Sequence, residues 1–174
     1  MAKIDEILME MEEEAAATRK LFERVPEDKL AWKPHSKSWS LGQLALHVAG
    51  IPGGVSPMTA VDELEAPTFE QREATSRAEL LETLERGLQT AREILSAMDD
   101  ERLKTPWTLR ANGRVLMTIP RGALIRTILL NHYYHHRGQL VVYLRLLNVP
   151  VPSVYGPTAD ENPFAAASAQ VVGA

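Results

Sequence analysis

The chain has 174 residues, 45% of them hydrophobic, which suits one domain with a real core. Lys and Arg total 19 against 23 Asp and Glu, a formal net charge of -4, and this argues against a nucleic-acid partner because phosphate binding needs clustered positive charge. The cysteine count is 0, so disulfide frameworks, Cys-based zinc sites and cysteine nucleophiles are excluded.

The opening residues carry no apolar signal-peptide segment, and no apolar run reaches the about 18 residues of a membrane span, so a cytoplasmic protein with no membrane partner is expected. A first helix is predicted over residues 3–24. Its Ile4, Ile7, Leu8, Met11, Ala15, Thr18, Leu21 and Phe22 follow the three-and-four spacing of a buried stripe. The acidic run Glu10, Glu12, Glu13, Glu14 reads as a solvated face, with Glu14 nearer the stripe's edge. Pro26 and Pro34 bracket a connector over 25–38 that cannot be continuous helix. Trp32 and Trp39 read as plugs on the end of a bundle in preference to substrate-stacking groups, and His35 is expected on the surface.

Ser40 and Gln43 match a capping box. They open a second helix bearing Leu41, Leu44, Leu46, His47, Val48 and Ile51. Pro52, set among Gly50, Gly53 and Gly54 and followed by Pro57, predicts a kink or stop near 52, with irregular or helical chain to about residue 64. A third long helix is predicted over 77–98, with Leu80, Leu81, Leu84, Leu88, Ala91, Ile94, Leu95 and Met98 inward, Ser76 as cap and Glu79 completing a box. Residues 99–120 do not read as helix. Two β-prone runs there flank Asn112-Gly113, a hairpin signal, with an ordinary loop as the alternative. Pro120 then opens the last helix. Pro150, Pro152 and Pro157 end it near 148, leaving 149–162 as an extended tail packed on the bundle and the Ala-rich 163–174 as a short helix or a disordered end. The whole predicts an all-α fold: an up-down four-helix bundle over residues 1–162, with a short β-hairpin before the last long helix.

That last helix carries the chemistry. The run Asn131-His132-Tyr133-Tyr134-His135-His136-Arg137-Gly138-Gln139-Leu140 holds three of the 5 histidines. Read as one helix over 125–147 at about 100° per residue, it places Ile125, Ile128, Leu129, His132, His136, Leu140, Tyr143 and Leu147 on one face. His132 and His136, four apart, have Cβ atoms about 5–6 Å from each other and can bind one metal ion at about 2.0–2.1 Å per bond. The alternative for an isolated His-x-x-x-His is a pair of core histidines satisfied by hydrogen bonds. Their four ring nitrogens need partners either way, and a metal would satisfy two at once. His135 lies about 100° round and is not expected to be a ligand. His47, on a predicted helix and outside this run, is the natural third ligand. Three protein ligands leave coordination positions open, the arrangement of a catalytic metal. Arg137 and Gln139 read as scaffold, Arg137 facing a neighbouring helix or solvent and Gln139 within reach of a partner beside the ligands. No phosphate loop and no Gly-x-Ser-x-Gly nucleophile motif is present.

The stretch Trp39-Ser40-Leu41-Gly42-Gln43-Leu44 followed by His47 resembles the first motif of the DinB/YfiT-like metalloprotein family. His132 to Leu140, then Tyr143-Leu144-Arg145, Pro150 and Tyr155-Gly156-Pro157, resemble its last helix and tail. The likeness runs from the first helix to Asp160. It implies a four-helix bundle, often dimeric, holding a divalent metal on three histidines, carried over to His47, His132 and His136, with nickel or zinc the usual ions. It also implies a transferase that activates a low-molecular-weight thiol toward a small-molecule substrate. A metal-hydroxide hydrolase and a non-catalytic, stress-related metal-binding protein are the alternatives. The Leu-rich faces of the first and third helices extend beyond a narrow stripe and add to the expectation of a homodimer.

Overall fold

The structure, a computed structural model, describes residues 3–68 and 70–165. Helix α1 (Lys3–Phe22) buries Ile4, Met11, Ala15, Thr18, Leu21 and Phe22, the stripe its spacing dictates. A 3-10 turn, Glu27–Lys29, follows Pro26. Helix α2 (Leu41–Ala60) begins at the predicted capping box: Gln43 N donates to Ser40 Oγ at 3.1 Å and Ser40 N donates to Gln43 Oε1 at 2.9 Å.

The expected stop at Pro52 does not occur, because α2 runs through both Pro52 and Pro57. The reason lies in its packing on α3 (Arg77–Leu95). A Cβ added at Gly53 would lie 2.8 Å from Gly87 Cα, and one at Gly87 would lie 2.8 Å from Gly53 N, so the two backbones meet directly. Around that crossing Leu44, Val48, Ile51 and Val55 of α2 share one core with Leu80, Leu84 and Leu88 of α3. Burial on that scale offsets the roughly 3 kcal/mol that a mid-helix proline costs. The Ser56 hydroxyl also donates to Pro52 O at 2.7 Å.

The all-α expectation is corrected to a mostly helical fold with a small mixed sheet. The predicted hairpin forms: β2 (Pro106–Ala111) and β3 (Arg114–Pro120) pair antiparallel across Asn112 and Gly113, whose φ values of 51° and 74° suit a two-residue turn of the I′ kind. The unpredicted strand β1 (Glu63–Glu65) joins β2 in parallel, giving the order β1-β2-β3. Its position follows from the end of α2. Arg121, 0% exposed, donates to Val61 O at 2.6 Å and to Thr59 O and pairs with Asp62 at 2.5 Å, placing a cation at the carbonyl end of α2. Thr108 N donates to Asp62 O at 2.9 Å and draws the exit strand onto β2. A short helix α4 (Asp100–Lys104), capped by Asp99, precedes the hairpin.

The final helical run has three parts: α5 (Arg121–Leu124), a π segment (Ile125–Asn131) and α6 (His132–Leu146). The π segment corrects the single α-helical face read from sequence. Its i→i+5 bonds make each residue advance by less than the α value. Ile128 consequently turns outward, 37% exposed, and Leu130 turns in, 1% exposed. The buried face of α6 is Tyr133, Arg137, Leu140 and Leu144, with His132 and His136 on its flank instead of at its centre. Asn148, at φ 57°, closes the helix, with Asn148 N on Arg145 O and Val149 N on Leu144 O, both 3.0 Å. The tail packs as predicted, burying Val151 and Pro152. Of the Ala-rich end, residues 166–174 lie outside the described residues.

Candidate metal centre

Two helices bring the three predicted histidines together. His47 lies two turns into α2, and His132 and His136 lie one turn apart at the start of α6, directly after the π segment. One ring nitrogen from each lies within 4.8 Å of the others. The ring centroids of His47 and His132, His47 and His136, and His132 and His136 stand 5.1, 4.6 and 4.6 Å apart. Among the described residues no other His, Cys, Asp or Glu group gathers in this way. His35 is exposed on the connector. His135 is exposed beside the cluster, its ring 4.9 Å from that of His136, and outside the converging set, as expected.

Electrostatics prepares these rings to act as ligands. Burial pushes His47 down to about 4, with neighbouring His136 and His132 adding to the effect. Burial is also the main cause lowering His132 and His136, while Gln139 beside His136 and the Ile128 backbone beside His132 oppose it. All three are therefore neutral at pH 7, with lone pairs free to bind a cation. Nε2 of His47 lies 3.2 Å from Nε2 of His132. Two lone pairs at that distance repel unless a proton or a cation lies between them. Two nitrogens bound to one tetrahedral ion at 2.0–2.1 Å stand about 3.3 Å apart, so the spacing fits a shared metal. Nδ1 of His132 is buried and makes no hydrogen bond of full quality. Nδ1 of His136 meets Gln139 Oε1 at 2.8 Å, which fixes a proton there and leaves Nε2 as the donor atom toward the cluster. Gln139 Nε2 in turn reaches His135 Nε2 at 3.2 Å. The residues present fit a divalent metal: three neutral imidazoles, no carboxylate among them and an oriented hydrogen-bond partner behind one.

Trp39 is the residue whose place the sequence reading missed. Its indole stacks on His136 at 5.6 Å and meets His47 edge-on at 4.9 Å, so it walls the cluster instead of only plugging the bundle. The available signal was its position immediately before the Ser40 cap, about two turns from His47. Tyr143 fixes the segment by donating to Trp39 O at 3.3 Å, and Trp32 packs edge-on against Tyr143 at 5.7 Å. The capping box reaches the site as well. Ser40 Oγ donates to Glu73 Oε2 at 2.5 Å and Gln43 Nε2 donates to Gln71 O at 2.9 Å, tying the segment before α3 across the start of α2.

Arg137 faces away from the cluster, as expected. It is 2% exposed and pairs with Glu14 of α1. The acidic run of α1 is accordingly less solvated than its sequence suggests: Glu10 bonds Arg126 and Tyr134, and Glu12 pairs with Arg92.

This chain belongs to the DinB family, which matches it over residues 1–163. It is 30% identical over 162 residues to YrdA of Bacillus subtilis strain 168, an uncharacterised protein, covering 91% of each chain. A DinB-like protein from Bacillus cereus ATCC 10987 shares the fold at a TM-score of 0.66 and 23% identity, over 89% of this chain and 100% of that one. The DinB-like YjoA of Bacillus subtilis does so at 0.63 and 19%, over 90% and 98%. No helix among the described residues is long and apolar enough to cross a membrane.

Proposed function

We propose that this protein is a metal-dependent transferase in which His47, His132 and His136 hold one divalent ion, nickel or zinc, beside which a low-molecular-weight thiol is activated toward an electrophilic small molecule. The observation that carries this reading is the convergence of three neutral imidazoles from two helices on one point, bordered by a cavity. An ion with three uncharged ligands keeps its full charge and lowers the pKa of a thiol or water bound beside it. The chain's own residues set the conditions. Gln139 holds the His136 tautomer, Trp39 shields one side, and the apolar surroundings of α2 strengthen the local field. The chain has 0 cysteines, so the thiol must diffuse in. The scaffold we read as an up-down bundle of the four long helical segments, which presents side chains of facing helices to one site. We also propose a homodimer, for which exposed Met9 on α1 and Val115, Leu116 and Met117 on edge strand β3 offer apolar surface.

The test is turnover of a panel of thiols and electrophiles by metal-loaded and metal-stripped protein at several pH values. The proposal expects activity that needs both ion and thiol and rises with pH. Metal-independent turnover would remove the mechanism. Thiol-independent hydrolysis would reassign the protein as a metal-hydroxide hydrolase, and a tightly bound ion with no turnover would favour a non-catalytic role.

A further inference from the structure

We infer, resting on the metal-centre reading above, that the cavity running from the histidine cluster along α2 binds the elongated, uncharged, apolar body of the substrate, with Gly50 and Gly54 lacking side chains to make room for it. The cavity measures about 510 Å3, within the range of small-molecule sites. His47, His132 and Trp39 form one end with Leu46 beside them, and Ile51, Val55 and Met58 line it further along α2. Among the described residues its lining holds one permanently charged cation, Arg72, whose side chain is 59% exposed. Arg72 is held by Glu79 at 2.5 Å and by Glu73 O at 3.4 Å, and Glu70 adds negative charge. A phosphorylated or polyacidic body would have to compete with Glu79 for Arg72 and would meet Glu70, whereas a hydrocarbon or aromatic body finds apolar contact along the α2 wall.

The two glycines strengthen the case. Gly50 and Gly54 lie three and seven residues beyond His47 and share its helix face. A Cβ built on either meets nothing within 4 Å, in contrast to Gly53, which is locked against Gly87. Each mid-helix glycine weakens the helix relative to alanine. At Gly53 the return is close packing, whereas Gly50, half-buried, and Gly54, exposed, border the cavity with open space above them. From His47 to Gly54 the helix rises about 10 Å, the length of an extended chain of about eight carbons.

The experiment titrates isotopically labelled, metal-free protein with 1-hexanol, 1-octanol, 1-decanol and octyl phosphate, reading amide and indole resonances. The expected result is saturable shifts at Gly50, Gly54 and the Trp39 indole, with affinity rising about fourfold per added carbon up to 1-octanol and little further to 1-decanol, and octyl phosphate binding no tighter than 1-octanol. Gly54→Leu should weaken 1-octanol at least tenfold without lowering Tm, and the milder Gly50→Ala should weaken it while raising Tm. Shifts confined to other surfaces, tighter binding of octyl phosphate, unchanged affinity in Gly54→Leu, or a lowered Tm in Gly50→Ala would each overturn the proposal. Zinc uptake measured on a separate aliquot of each protein separates the two readings. Alkanol binding by a chain that takes up no ion supports the cavity and overturns the metal centre. An ion-binding chain indifferent to alkanols overturns the cavity proposal alone.

Discussion

Replacing Arg137 with alanine should cost stability and leave the metal centre intact. The guanidinium is 2% exposed, pairs with the Glu14 carboxylate, donates to Glu14 O at 2.8 Å and bonds the Tyr155 hydroxyl. It also lies 5.8, 5.4 and 5.2 Å from the ring centroids of Tyr133, Tyr134 and Tyr155. Truncation strands a carboxylate whose side chain is 15% exposed. Removing one partner of a buried pair costs about 3–5 kcal/mol. Glu14 keeps the Tyr155 hydroxyl at 3.0 Å, which places the expected loss near the lower end, about 3 kcal/mol. At about 2–4 °C per kcal/mol for a chain of this size, Tm should fall by about 6–12 °C. Thermal melts followed by circular dichroism read the loss, and elemental analysis of the folded fraction reads the metal. Replacing both partners, Arg137→Met with Glu14→Leu, should destabilise less than Arg137→Ala alone because no charge is left unpaired. A Tm shift below about 2 °C, or metal lost from a folded Arg137→Ala chain, would refute the reasoning.

Acidification should destabilise the metal-free protein in a defined window. His47 sits at about 4 against an ordinary 6.5, and His132 and His136 are lowered too. Between those values the unfolded chain binds more protons than the folded one, so stability falls as pH drops from about 6.5 toward 4 and is insensitive to these groups above it. Urea midpoints between pH 7.5 and 4.5 check this, and a midpoint that rises on acidification to pH 5 would contradict it. Gly53→Ala should lower Tm by a few degrees, because the 2.8 Å approach to Gly87 Cα carries an overpacking cost of about 1–3 kcal/mol that exceeds the helix-propensity gain of about 0.5–1 kcal/mol. A stabilised Gly53→Ala would mean the two helices are free to move apart.

The histidine set was legible from a four-residue spacing on one helix and one further helical histidine beside a capping box, joined to the family resemblance that those two motifs carry. The hairpin was legible from local information, since Asn112-Gly113 dictates its own backbone. What escaped was set by contacts between distant segments. Pro52 reads as a helix stop until Gly87, from another helix, is known to lie against Gly53. Strand β1 is invisible as a three-residue stretch, and it exists because Asp62 is held by Arg121 and by Thr108 N. The π segment defeated a fixed angular step and moved His132 and His136 to the flank of the buried face, where a cavity can reach them. Glu14 read as solvated because its partner, Arg137, is 123 residues away.

The most direct measurement is ion stoichiometry of the purified protein and four single variants, taken with melting curves to show that each is folded. The account predicts one divalent ion per chain in the parent and in His135→Ala, whose ring lies outside the converging set. It predicts strong loss of the ion in His47→Ala, His132→Ala and His136→Ala, because two imidazoles hold a metal far less well than three. Full stoichiometric metal in a folded His132→Ala protein, or its loss in His135→Ala, would contradict the site.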